Sequence, residues 1–139
     1  MIIHANCIQI DDKGVLILGP SGSGKSSLTA DFIARGARLV ADDRMALERR
    51  GDRVFGAAPS SISGLIELRG IGIVEMPYLE ETAIDLVVDL GQTEKDRFPK
   101  NNRYEVLGIS HPLLKSVSGT HFSAAIILAL KYGWKNADD

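Results

Sequence analysis

The run Gly19-Pro20-Ser21-Gly22-Ser23-Gly24-Lys25-Ser26 fits the pattern G-x-x-x-x-G-K-S, the signature of a loop that folds its backbone around phosphate. Glycines let the chain turn close to an anion, so that amide N–H groups and a helix N-terminus face it. In this reading Lys25 reaches the β- and γ-phosphates and the Ser26 hydroxyl is a ligand for Mg²⁺. A Gly/Ser-rich turn carrying a chance Lys-Ser is the competing reading. The flanks argue against it, because the motif needs a strand before it and a helix after it. Val15-Leu16-Ile17-Leu18 reads as a buried strand, and Leu28, Phe32 and Ile33 fall on one helical face.

Phosphoryl transfer asks for a second Mg²⁺ ligand and, for a hydroxyl acceptor, a carboxylate to take its proton. Asp42 and Asp43 follow Leu39-Val40-Ala41, where a strand beside the phosphate-loop strand would end. Adjacent side chains of an extended chain point to opposite sides, so one of the two faces the phosphate. Glu67, inside Leu65-Ile66-Glu67-Leu68 and just before Arg69-Gly70, reads equally as a site acid or as a solvent-facing strand residue paired with Arg69. His4 and Arg97 are unremarkable by spacing alone.

The elements that must position these groups are short. Residues 5–10 and 15–18 read as a hairpin turning at Asp11-Asp12-Lys13-Gly14. A helix is predicted from Lys25 to Arg35, stopping at Gly36, followed by a strand over 38–41. Residues 45–49 and 53–57 flank the turn Arg50-Gly51-Asp52 as a second hairpin, and residues 58–61 form a loop. Residues 65–74, punctuated by Gly70 and Gly72, read as a strand or turn with a close backbone approach, and residues 82–89 as a core strand. Residues 91–104, polar and charged, are expected to form a mobile surface loop, and residues 122–130 a buried helix ending near Gly133. Many strands, few helices and several hairpins predict an α/β domain with a mixed sheet around one phosphate-loop helix.

A chain of 139 residues suits one domain over 1–139. Sixteen basic against eighteen acidic residues leave a charge of −2 with no basic cluster, which argues against nucleic acid and anionic membrane as partners. The N-terminus lacks the layout of a signal peptide, and no apolar run has the length of a membrane span, so a cytoplasmic location is expected. The single cysteine, Cys7, reads as a small buried strand residue.

Taken together, His4, the phosphate loop, Arg35-Gly36-Ala37-Arg38-Leu39-Val40-Ala41-Asp42-Asp43-Arg44, Leu65-Ile66-Glu67-Leu68-Arg69-Gly70-Ile71-Gly72-Ile73-Val74 and Asp96-Arg97 resemble the catalytic domain of the HPr kinase/phosphorylase family. That resemblance implies the phosphoenolpyruvate-carboxykinase-like phosphate-loop fold. It also implies a protein-serine kinase that uses ATP and Mg²⁺ to phosphorylate the phosphocarrier protein HPr, with a homo-oligomer, a hexamer in the family, as its assembly. Carried over residue by residue, it makes His4, Lys25, Asp43 and Arg97 active-site residues and gives Mg²⁺ to Ser26 and Glu67. Asp43 becomes the proton acceptor from the serine hydroxyl.

Two departures from the family accompany it. The chain starts just before the active-site histidine, as short forms without the family's N-terminal domain do. Where the family has a Pro-Val-x-x-Gly-Arg-Asn segment tied to dephosphorylation, this chain reads Lys115-Ser116-Val117-Ser118-Gly119-Thr120-His121, which places the reverse, phosphorylase reaction in question. Two other readings stand beside the kinase: a phosphate-loop kinase of small molecules, and a nucleotide-sensing module that transfers nothing.

Overall fold

A computed structural model describes residues 1–138 of the chain. It opens with β1 (Ile2–Ile3) and the hairpin β2 (Asn6–Ile10) and β3 (Lys13–Leu18), whose turn is made by Asp11 and Asp12. The phosphate-loop motif then leads into α1 (Lys25–Ala34) and β4 (Arg38–Ala41). Two further hairpins, β5 (Met45–Arg50) with β6 (Arg53–Ala57) and β7 (Leu65–Leu68) with β8 (Gly72–Glu75), precede the long β9 (Thr82–Thr93). The chain ends on β10 (Arg103–Val106), β11 (Ile109–Ser116) and α2 (Phe122–Tyr132). Among the described residues no helix is long and apolar enough to cross a membrane.

Strand order in the main sheet is β1-β5-β6-β9-β3-β2-β4, with β10 and β11 joined on through β9; β7 and β8 form a separate ribbon. β9 is the backbone of this arrangement. Its first residues pair antiparallel with β6, while its body pairs parallel with β3 on one side and with β11 on the other. One strand can serve three partners because it is twelve residues long and β6 leaves it before β11 arrives. The mixed sheet expected from the sequence is therefore present.

Strands β2, β3 and β9 are buried on both faces, which is why they read as nearly continuous apolar runs. Val15, Ile17, Leu86 and Val88 turn toward α1 and α2 and pack with Phe32, Ile126 and Leu130. Leu16 and Val87 point the other way, into a second core with Met45, Val54 and Leu113 beneath the hairpins. Cys7 lies fully buried in that second core, where burial pushes its thiol pKa far up.

Several local expectations need correction. Gly14, expected in the turn, is a strand residue paired with Ile84, and a Cβ there would stand 2.0 Å from the Ala83 carbonyl oxygen. The close backbone approach expected at Gly70 and Gly72 is absent: a Cβ at either would meet nothing, and both are required by their φ values of 81° and 136°. The polar stretch 91–104 is shorter as a loop than expected, because β9 continues until Thr93 pairs with Ser116 and β10 begins at Arg103. The β10–β11 hairpin turns on Leu107 and Gly108, both at positive φ. Pro112 masks the second strand in the sequence, yet it fits because β11 joins β9 only from Leu113 onward. α2 is not buried all round. Ser123, Ile126 and Leu130 face inward, whereas Leu128 is 57% exposed, since the helix lies on the outside of its layer with one side against α1 and the sheet.

Two predictions follow from this packing. Gly14→Ala forces the β3–β9 ladder apart and should lower the unfolding free energy by about 1–3 kcal/mol or more, read as a shift of the urea midpoint. His111 on β11 is buried, its Nδ1 has no partner, and desolvation holds its pKa below the ordinary 6.5 against the upward pull of the Ile109 and Tyr104 carbonyls. The unfolded chain thus takes up the proton first. Its contribution to stability is complete above pH 6.5 and is lost as pH falls below that value toward the depressed one. Denaturation curves across that window should fall more steeply for the wild type than for His111→Gln; equal slopes would contradict the assignment.

Candidate phosphate-transfer site

The loop between β3 and α1 is built for an anion. Gly19, Gly22 and Gly24 hold φ values of 151°, 82° and 101°, which side chains rarely adopt. Gly24 is the N-cap of α1 and brings no capping side chain, so the first-turn N–H groups stay available to a ligand. Lys25 is 8% exposed, and its ammonium donates to the carbonyl oxygens of Gly19 at 2.7 Å and Pro20 at 3.3 Å. The loop thereby carries a desolvated cation at its centre. The Ser23 hydroxyl is buried in the same loop without a hydrogen-bond partner. A buried orphan of this kind beside a lysine is what a bound phosphate oxygen would satisfy.

Next to the loop stands a polar network that is buried almost completely. Asn6, on β2 and 0% exposed, donates from Nδ2 to Asp42 Oδ1 at 2.6 Å and to Thr29 Oγ1 at 3.0 Å. Ser26 Oγ donates to the same Asp42 oxygen at 2.8 Å, and the Glu67 backbone N–H donates to Asp42 Oδ2 at 2.9 Å. Thr29 in turn donates to the Lys25 carbonyl. Four separate elements, β2, α1, the end of β4 and β7, thus meet on one carboxylate.

Asp43 is arranged differently. Its φ is 69°, so the chain reverses sharply at the end of β4 and turns the two neighbouring carboxylates apart. The turn is fixed by the Asp43 N–H donating to Asn6 Oδ1 at 3.0 Å and by the Ala5 N–H donating to the Asp43 carbonyl at 3.1 Å. Asp43 is exposed, and its carboxylate makes no hydrogen bond or ion pair among the described residues. One of the two acids is therefore buried against Ser26 and the other is presented to solvent, and the cause is the reversal at Asp43 rather than the alternation of an extended strand.

The remaining predicted residues are placed unequally. His4 is exposed and adjoins Ala5, whose N–H holds the Asp43 backbone. Glu67 is exposed on β7, with its own backbone N–H on Asp42, so the ribbon β7–β8 is anchored at the network. Arg97 is not brought to the loop: it stands in the exposed segment after β9, its guanidinium over the Phe98 ring at 5.5 Å. Of the network residues, Asn6 and Thr29 are not singled out by the sequence, and Asp42 is marked there only as one of a pair with Asp43, without a role of its own. The one available signal was an asparagine opening the apolar run Asn6-Cys7-Ile8, where a polar side chain must find a buried partner.

The donor set suits Mg²⁺. Among the described residues no three His, Cys, Asp or Glu side chains gather into a cage. A serine hydroxyl hydrogen-bonded to one carboxylate beside a phosphate loop is the sparse oxygen set that Mg²⁺ uses when phosphates and water supply its other ligands. Asn6→Ala would strip a donor from Asp42 and an acceptor from the Asp43 N–H. It should cost about 1–3 kcal/mol of stability in a denaturation experiment and weaken Mg²⁺-dependent ATP binding in titration calorimetry.

Comparison with known proteins places this geometry. A family model described as the HPr Serine kinase C-terminal domain matches residues 1–121. The chain is 37% identical over 121 residues to the HPr kinase/phosphorylase of Caldanaerobacter subterraneus subsp. tengcongensis, covering 81% of this chain and 38% of that one. It is 39% identical over 116 residues to the enzyme of the same name from Lactobacillus johnsonii, covering 78% of this chain and 35% of that one. The chain thus spans little more than a third of the length of these curated relatives. Among solved structures, the Hpr(Ser) kinase/phosphatase from Coxiella burnetii superposes with a TM-score of 0.79 at 28% identity, covering 94% of each chain. The fold expected from the sequence is the fold of that structure.

Proposed function

The chain belongs to the HPr kinase/phosphorylase family, and from that membership we propose that it transfers the γ-phosphoryl group of ATP to a serine hydroxyl of an HPr-like phosphocarrier protein. The observation that carries the reading is the division of labour between adjacent acids. Asp42 has both oxygens committed to Asn6, Ser26 and Glu67, while the Asp43 carboxylate is exposed and unencumbered at the same strand end. A protein-borne serine needs an acceptor it can reach from outside, and Asp43 is that group.

In the proposed reaction the serine oxygen forms a bond to the γ-phosphorus as the bond to the β–γ bridging oxygen breaks, and ADP departs. The serine proton passes to an Asp43 carboxylate oxygen. Lys25 and the α1 N-terminus neutralise the β- and γ-phosphates, which is most of what such a loose transition state asks of a protein. Ser26 and Glu67, with Asp42 beside them, would hold Mg²⁺, which would supply charge neutralisation for the phosphoryl transfer when bound. The family resemblance assigns Arg97 to the charge on the transferring group, a role that requires its exposed segment to move from its place over Phe98 onto the bound nucleotide, and His4 to the orientation of Asp43, whose carbonyl accepts from the neighbouring Ala5 N–H.

Incubation of the protein with MgATP and HPr should add one phosphoryl group to HPr by mass. Lys25→Ala and Asp43→Asn should each abolish the gain, and Arg97→Ala should slow it by about a thousandfold or more, the range known for arginines acting on a transferring phosphoryl group. HPr of unchanged mass in the presence of demonstrable ATP binding would overturn the kinase reading in favour of a nucleotide sensor.

A further inference from the structure

The segment that carries Arg97 has two fixed ends and a free middle. At its start the Glu94 N–H donates to the Ser116 carbonyl at 2.9 Å, and the Glu94 carboxylate accepts the Lys95 and Asp96 N–H groups, each at 3.1 Å. Beyond them no hydrogen bond among the described residues holds the backbone of Arg97 or Phe98, and both residues are exposed. At its other end the segment meets the stretch that follows α2. Gly133, at a φ of 80°, ends that helix, and residues 134–138 then cross the base of the segment. The Ala137 N–H donates to the Pro99 carbonyl at 3.0 Å, and the Asn101 N–H donates to Asp138 Oδ2 at 2.9 Å. Asn136 Nδ2 donates to Asn101 Oδ1, and Asn136 Oδ1 in turn accepts from Trp134 Nε1 at 2.7 Å.

We infer that Trp134, Asn136 and Asp138 form a clasp on the base of this segment and are positioning residues for Arg97, an inference that rests on the function proposed above. Arg97 has to travel from Phe98 to the nucleotide, and the cost of that excursion depends on how much chain is loose. With the clasp closed, the loose stretch runs from Lys95 to Phe98, since Pro99 and Asn101 are both bonded to the residues after α2. With it open, the stretch extends to Asn101, because the Asn102 carbonyl is still held by the Leu113 N–H at 2.9 Å. Growth from four loose residues to seven lowers the chance of any one closed arrangement about twofold by chain entropy alone. The clasp fixes direction as well as length. Phe98 precedes a proline and is biased to extended backbone, so a bonded Pro99 sets the heading on which the chain returns toward Arg97. The clasp is bonded rather than packed: a cavity of about 290 Å³ lies between Trp134 and Asn136 on one side and Arg103, Leu113 and Leu114 on the other. Single substitutions therefore open it without unseating either core.

Trp134 is the only tryptophan of the chain, so its fluorescence reports the clasp while phosphorylation of HPr reports Arg97. Asn136→Ala and Asn101→Ala break the clasp from opposite sides, so a folding defect in one does not remove the other. Acrylamide quenching of Trp134 should rise in both variants, and kcat for transfer from MgATP to HPr should fall about twofold or more. Placed in an Arg97→Ala background, the same substitutions should raise the quenching equally and change kcat no further, an outcome that a general loss of stability would not produce. Losses of equal size with and without Arg97, kcat unchanged despite raised quenching, or quenching unchanged in both variants would each overturn the clasp alone. A wild-type chain that leaves HPr unphosphorylated, or an Arg97→Ala variant as fast as the wild type, defeats the role proposed for Arg97 and the clasp together.

Discussion

The carboxylate of Asp42 is the constraint on which the rest of this structure depends. It is nearly buried, and a buried carboxylate is costly unless donors surround it. Here an asparagine, a serine and a backbone N–H supply them, each from a different element. Because the donors come from β2, α1 and β7, satisfying the charge fixes the phosphate loop, the strand end and the outlying ribbon relative to one another. Asn6 does the most in this arrangement, since its amide donates to Asp42 and to Thr29 while its oxygen accepts the Asp43 N–H. Removing any one member leaves others unpaired in a poorly solvated place, so the network stands or falls nearly as a unit.

The fold serves this meeting point. The parallel pairing of β3 with β9 carries Leu18 and Asp89 to the same end of the sheet. Asp89 turns its carboxylate onto the Gly91 N–H and the Gln92 amide, and a Cβ on Gly91 would stand only 3.2 Å from the Pro20 ring. The end of β9 thus lies against the phosphate loop. The β5–β6 hairpin that curls off the other end of β9 covers the second core, and the pairing of β4 with β2 sets Asp42 and Asp43 in place. Chemistry at one end of the sheet is thereby separated into an acceptor side under Asn6 and Asp42 and an opposite side under α2.

Much of this was legible in the sequence, because the strongest signals are local. The phosphate loop, its strand and its helix share one short stretch of chain, and the strands of the doubly buried sheet announce themselves as apolar runs. What was hidden depends on contacts distant in sequence. Asn6 and Asp42 are thirty-six residues apart, and nothing local distinguishes Asp42 from Asp43 until the positive φ of Asp43 turns them apart. The β10–β11 hairpin was obscured by Pro112, whose position is permitted only by where β9 begins to pair. Gly14 looked like a turn residue because its real neighbour, the Ala83 carbonyl, lies on a strand far along the chain. Family resemblance supplied roles for His4, Glu67 and Arg97 that spacing could not. The geometry gathers His4 and Glu67 around the strand end and leaves Arg97 on a neighbouring exposed segment.

The central claim is that two adjacent aspartates do separate work: Asp42 organises the metal side of the loop, and Asp43 receives the proton of the acceptor. The direct measurement is the affinity for ATP as a function of Mg²⁺ concentration in Asp42→Asn and in Asp43→Asn. The account predicts that Asp42→Asn loses the Mg²⁺-dependent gain in affinity, whereas Asp43→Asn keeps it intact while transferring no phosphoryl group. Equal Mg²⁺ dependence in Asp42→Asn and the wild type, with the gain lost instead in Asp43→Asn, would contradict it.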